Sequence, residues 1–167
     1  TDDDATSMTE ITGATTNLGN TSGSVTNANN FNVITYRGEE NFFGNIWKWI
    51  DGININRNST ITPQLHDVYI ADHGFIDGTG NAPYEKVNYQ VCLTEGYTSA
   101  FGYDENFDWL FMTTETKGNS SVPVGDYFYR NASYDGMLAA LLGGEWNYGA
   151  NAGGFYWNLH NAASHRT

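Results

Sequence analysis

Side chains that could do chemistry are few and scattered in this chain. Acidic residues pair at Glu39 and Glu40, at Asp104 and Glu105 with Asp108 close behind, and at Asp72 with Asp77. Two carboxylates set across a cleft can hydrolyse a glycosidic bond. With 19 acidic residues present, such adjacency arises by chance, and solvated loops are the plainer reading. The one cysteine, Cys92, lies in the apolar run "YQVCLTEGY" and reads as a buried structural thiol. It leaves no internal disulfide and no Cys-based zinc site, and a nucleophilic role would need a base from elsewhere in the fold. The four histidines are dispersed, and His160 with His165 makes a poor zinc pair without further ligands. "DHGFIDGTG" (72–80) is rich in Asp and Gly without the spacing of an EF-hand loop. It leaves a structural calcium open, and no other cofactor and no metal ligand is assigned.

The remaining chemistry is that of recognition. "GGEWNYGANAGGFYWNLHNAASHRT" (143–167) sets Trp, Tyr and Asn side by side among glycines. A linker would omit the aromatics, and a half-buried strand would alternate. Tyr and Trp offer wide amphipathic contact area at low entropic cost, while Asn, Ser and Gly adapt their hydrogen bonds, as in antibody paratopes.

The rest of the chain narrows the partners. A net charge of −12 repels phosphate backbones and anionic membrane surfaces, so nucleic acid is excluded and glycans or proteins remain. No apolar run is long enough for a membrane span, and no signal peptide is visible. The first residue is Thr1, which suggests a processed product or a piece of something longer. A length of 167 residues suits one domain.

Residues 1–30 are Thr, Ser, Gly and Asn with hardly any large apolar side chain, so they read as an extended leader or linker. Packing of part of it against the domain or a neighbouring subunit is the alternative. The domain proper is expected over 31–167. Strands are expected at "FNVITYRG" (31–38), "HDVYIADH" (66–73), "NYQVCLT" (88–94), "WLFMTTE" (109–115) and "YFYRN" (127–131). "GMLAALLGGEW" (136–146) is expected to run as a strand into a Gly-Gly kink, against the helical preference of Leu and Ala. "EENFFGNIWKWIDGININ" (39–56) starts like a helical turn and becomes a strand. There Trp47 and Trp49 share one face by the period of two, and Asp51-Gly52 signals a turn.

Two of these segments carry a resemblance. "GNIWKWIDG" (44–52) resembles the signature of the formylglycine-generating-enzyme branch of the C-type lectin fold. "LLGGEWNYGANAGGFYWNLHNAASHRT" resembles that branch's later "RGGSW" segment, and still more the variable repeat of diversity-generating-retroelement target proteins. "SSVPVGDYFYRN" also fits that group, so the resemblance runs from about 33 to 167. It implies an α+β, C-type lectin-like fold with a twisted antiparallel sheet, few helices and long loops. It also implies a ligand-binding variable segment near 143–167 on a phage tail or head fibre, in the virion, or on a bacterial cell surface. Adenine-directed rewriting of Asn codons would account for the Asn, Tyr, His and Ser that populate the segment. The family's chain continues into a final strand, here expected to be missing or replaced. Formylglycine-generating oxidases carry reactive cysteines in this region, and residues 143–167 have none, so oxidase activity is not expected. A purely structural virion decoration is the other alternative.

The expectation is therefore a non-enzymatic receptor-binding domain whose partner is a host-surface protein or glycan. Its exposed contacts are expected at Glu145, Asn147, Tyr148, Asn151, Phe155, Tyr156, Asn158, His160, Asn161, Ser164 and His165, with Tyr148 and Tyr156 as anchors. Trp146, Trp157 and Leu159 are expected to be scaffold. Fibre-tip members of the family are often trimers, and a leader retained beside the domain suits a homo-trimer here.

Overall fold

The computed structural model describes residues 13–28, 30, 32–60, 65–130 and 134–166. Among the described residues twelve strands carry the fold: β1 Gly23–Thr26, β2 Asn32–Tyr36, β3 Glu39–Glu40, β4 Lys48–Asn58, β5 Leu65–Ile70, β6 Glu85–Gln90, β7 Gly96–Tyr97, β8 Ala100–Phe101, β9 Thr113–Glu115, β10 Tyr127–Arg130, β11 Gly136–Leu142 and β12 Trp157–Leu159. Short 3-10 segments at Thr16–Leu18, Trp146–Asn151 and Ala163–Arg166 are the only helical structure among the described residues. The described chain is thus mostly β, and the α part of the expected α+β class shrinks to these turns.

Seven strands form the main sheet in the order β6-β5-β4-β11-β12-β10-β7. Its ladders are antiparallel except for β10 with β12, which run parallel. The sheet is therefore mixed rather than purely antiparallel. Side chains directly opposite one another share a face. Val68, Ile55 and Leu138 form such a row across β5, β4 and β11, and all three are sealed from solvent. Phe128, Trp157 and Leu159 continue this core from β10 and β12, and Leu110 and Met112 cover it. Each fully buried aliphatic side chain contributes about 1.5–3 kcal/mol of transfer free energy, enough to hold the Leu- and Ala-rich β11 extended. β4 pairs with it along its length on one edge, and β12 pairs with Leu141 and Leu142 on the other.

Asp51-Gly52 does not turn the chain. β4 runs straight through it as one strand of 11 residues. Ala139 pairs with Asn54 and Ala140 with Ile50, so residues 51–53 bulge out of the ladder to β11. Gly52 has φ +76°, and a Cβ there would collide with the Ala71 carbonyl and the Phe75 ring. A turn signal and a bulge need the same positive φ. β4 starts at Lys48, so Trp47 lies just before the strand and Trp49 within it.

Gly13 onward, the expected leader joins the fold. β1 pairs antiparallel with β2, and the three-stranded sheet β1-β2-β3 forms beside the main one. Glu40 fixes the junction by accepting hydrogen bonds from the Thr15 N–H and hydroxyl, each at 2.8 Å. Residues 1–12 of the leader lie outside the described residues.

Candidate binding face

The two segments singled out by the sequence meet in space. Gly44 N–H donates to the Gly143 carbonyl at 2.9 Å, and Trp146 N–H to the Asn45 carbonyl at 3.1 Å. Trp47 packs edge-on against Tyr148 at 5.4 Å and against Tyr156 at 4.8 Å between ring centroids. The kink that permits this is the Gly143-Gly144 pair, at φ +100° and +77°. It turns the chain out of β11 so that 145–156 can double back before β12.

Tyr156 is the hub of this arrangement. Its ring touches Trp47, Tyr148 at 5.5 Å and Tyr127 at 5.9 Å, and it is 1% exposed. Burial pushes its hydroxyl pKa well up, with the neighbouring Tyr148 and Tyr127 adding to the effect. The expected anchor is thus a packing residue. Asn158 is likewise buried, contrary to expectation. It sits mid-strand in β12 with β11 on one edge and β10 on the other, and its side-chain oxygen accepts the His160 N–H at 2.9 Å. Trp157 and Leu159 are core, whereas Trp146 is only half-buried.

The other expected contacts fall into two groups. Glu145, Asn147, Tyr148, Asn151 and Phe155 lie by the Leu142 end of β11. Asn147 and Phe155 are exposed there, while Glu145, Tyr148 and Asn151 are half-buried. Asn151 is held by the Tyr97 hydroxyl at 2.7 Å. His160, Asn161, Ser164 and His165 follow β12 towards Leu138, which bridges to Ala162. His160, Ser164 and His165 are exposed and Asn161 is half-buried. Leu138 and Leu142 are four residue steps apart along β11, about 13 Å at the usual rise, so the two groups sit towards opposite ends of that strand.

Between and beside these groups lie residues the sequence reading missed. Tyr127 and Tyr129 project from β10 away from Phe128, which is buried in the core. His160 stacks on Tyr129 at 5.6 Å. The row Trp49, Leu141, Asn158, Tyr129 crosses four strands on this non-core face. The alternation in "YFYR" carried the signal for the two tyrosines. Phe155 joins a second aromatic cluster, at 5.2 Å from Phe101 and 6.0 Å from Phe111. Its other side borders a groove of about 530 Å³ lined by Tyr36, Phe42, Phe43, Val124, Asp126 and residues 152–154. Gly153 lies flat against the Asp126 carboxylate, where a Cβ has no room.

The acidic pairs are engaged elsewhere. Asp104 is buried and accepts backbone N–H groups of Asn88 and Asn106 at 2.8 and 2.9 Å. Glu39 lies 3.4 Å from the Lys48 ammonium. The Asp- and Gly-rich loop 72–80 is organised by buried Asn54, whose amide donates to the Ile76 and Thr79 carbonyls, both at 2.9 Å. Among the described residues, no three His, Cys, Asp or Glu side chains gather as a metal site. Cys92 is half-buried between Thr94 and Thr116. Although burial raises its pKa, hydrogen bonds from those threonines lower it more, so the thiol ends below its ordinary value. Deeper in the sheet, His66 is sealed from solvent with Nδ1 on the Cys92 carbonyl at 3.2 Å. Desolvation, with Arg130 and Arg57 nearby, pushes its pKa down to about 4.

Compared with known proteins, the chain matches no family model, no curated protein and no solved structure.

Proposed function

We propose that this chain is a ligand-binding domain of C-type lectin-like type, carried on a phage fibre or a bacterial surface, with a binding face that retroelement-driven variation diversifies. One observation carries this reading. The "GNIWKW" and "GGEWNYGANAGGFYWNL" segments are locked together by main-chain hydrogen bonds and by the Trp47–Tyr156–Tyr148 ring cluster. Main-chain bonds hold whatever side chains the segment carries, and the buried aromatic hub fixes its path. Exposed positions such as Asn147, Phe155, His160 and His165 can then change without unfolding the domain. That is the division of labour a diversified surface requires.

The partner is a host-surface protein or a glycan, and the function is adhesion rather than catalysis. Assembly as a trimer would raise weak single-site affinity through effective concentration.

The test is binding of fluorescently tagged protein to arrays of bacterial surface proteins and glycans. Wild type should mark a defined subset, and a variant with Asn147, His160 and His165 changed together to Ala should lose it while melting close to wild type. Unchanged binding by that variant, or no binding to any surface component, would favour a structural decoration. Turnover of a Cys-containing peptide would favour an oxidase.

A further inference from the structure

The groove beside Phe155 joins aromatic walls to a carboxylate that has no cation of its own. Tyr36, Phe42 and Phe43 form one wall, with centroids 5.4 Å apart for Tyr36 and Phe42 and 4.7 Å for Phe42 and Phe43. Phe155 stands at the other side, 40% exposed. Asp126 is half-buried in the lining, and its Oδ2 accepts the Phe155 N–H at 2.5 Å. No ion pair reaches Asp126 among the described residues. Desolvation raises its pKa above the ordinary value, against the lowering effect of that one N–H bond.

A carboxylate desolvated without a counter-ion is costly, and a cation from outside relieves that cost. Aromatic faces attract cations through the ring quadrupole, and guanidinium more often than ammonium because it is planar and more weakly hydrated. Tyr36 already does this within the chain: the Arg37 guanidinium carbon lies 5.9 Å from its ring centroid. A net charge of −12 steers cationic groups towards the surface. A neutral apolar side chain would bury Asp126 further and add nothing to balance it.

We propose that this groove receives the guanidinium of an arginine side chain from a partner polypeptide. The group lies against the Tyr36, Phe42 and Phe155 rings and pairs with Asp126. Phe155 thereby becomes a contact on both counts, as a groove wall through its ring and as the hydrogen-bond partner of Asp126 through its N–H. The inference rests on the reading that the face around 145–155 binds a partner, and it narrows that partner to a protein with an exposed arginine.

The probe is N-acetyl-arginine methylamide, titrated into the full chain while backbone amide NMR signals are followed. Its neutral isostere, N-acetyl-citrulline methylamide, is the control. The arginine probe should shift the Phe155 and Gly154 amides with a dissociation constant on the order of millimolar, as suits one side chain. The citrulline probe should bind about tenfold more weakly, and so should the arginine probe to Asp126→Asn, which keeps an oxygen for the Phe155 N–H. Equal binding of both probes, shifts confined to other regions, or none at all overturns the proposal. Preferential shifts with methyl glycosides would make the groove a glycan subsite instead. Loss of the arginine effect while array binding persists would sink the groove assignment and leave the wider function standing.

Discussion

Replacing Tyr156 with Ala separates scaffold from surface within one segment. The ring is 1% exposed and makes three edge contacts, with Trp47, Tyr148 and Tyr127. Cutting a buried aromatic to Ala costs about 3–5 kcal/mol, as lost transfer free energy plus the cavity left behind. The upper part of that range applies here, because each ring pair adds about 0.5–1.5 kcal/mol beyond area burial. For a domain of this size, 1 kcal/mol moves Tm by about 2–4 °C, so Tyr156→Ala should melt roughly 8–20 °C early. Tyr156→Phe keeps all three ring contacts and should lose about 1 kcal/mol or less. Asn147→Ala, at an exposed position, should stay within about 0.5 kcal/mol of wild type. Thermal melts followed by near-ultraviolet circular dichroism and tryptophan emission would measure all three, with Trp47 reporting directly on the hub. A Tyr156→Ala melt within about 3 °C of wild type would refute the claim that this ring fixes the path of the segment.

Other outcomes follow from the same geometry. His66 is held near a pKa of about 4 in the fold against 6.5 for the free side chain, so between those values the unfolded chain takes up a proton that the folded one refuses. Its contribution is complete above pH 6.5 and lost progressively towards pH 4, about 3 kcal/mol in all, and urea titrations should show that slope reduced in His66→Gln. Asn54→Ala removes both donors that pin the 72–80 loop and leaves the Ile76 and Thr79 carbonyls without them. It should cost about 2–4 kcal/mol and speed amide hydrogen exchange in that loop first; unchanged exchange would show that the loop holds itself.

Much of the sheet could be read from alternation. "NVITY" and "YFYR" show it directly, and β2 and β10 lie within the segments expected. "GMLAALL" forms β11 even though its residues favour helix, because both edges of that strand are paired. Asp51-Gly52 signalled a positive φ correctly but could not say whether the chain would reverse or bulge; that depended on Ala71 and Phe75 across the sheet. "WLFMTTE" is an apolar run followed by a polar one, and only Thr113–Glu115 finds a ladder partner. Within the candidate site, side-chain type was the misleading guide. Tyr156 and Asn158 look like contact residues, but their burial is decided by Trp47 and by the parallel pairing of β12 with β10, contacts remote in sequence. The groove depends on the same kind of distance, since Tyr36, Asp126 and Gly153 come from three separate parts of the chain.

The central claim is that a fixed scaffold carries a face built to vary, and deep sequencing of the coding region for 143–167 across many independent genomes bearing this gene tests it most directly. The account predicts substitutions concentrated at adenine-bearing codons for exposed positions, Asn147, His160 and His165 among them. Gly143, Gly144, Tyr156, Trp157 and Leu159 should hold constant, and an adenine-rich near-copy of the region should lie beside a reverse transcriptase gene. Substitutions spread evenly over buried and exposed positions, or a segment invariant throughout with no such copy nearby, would contradict it.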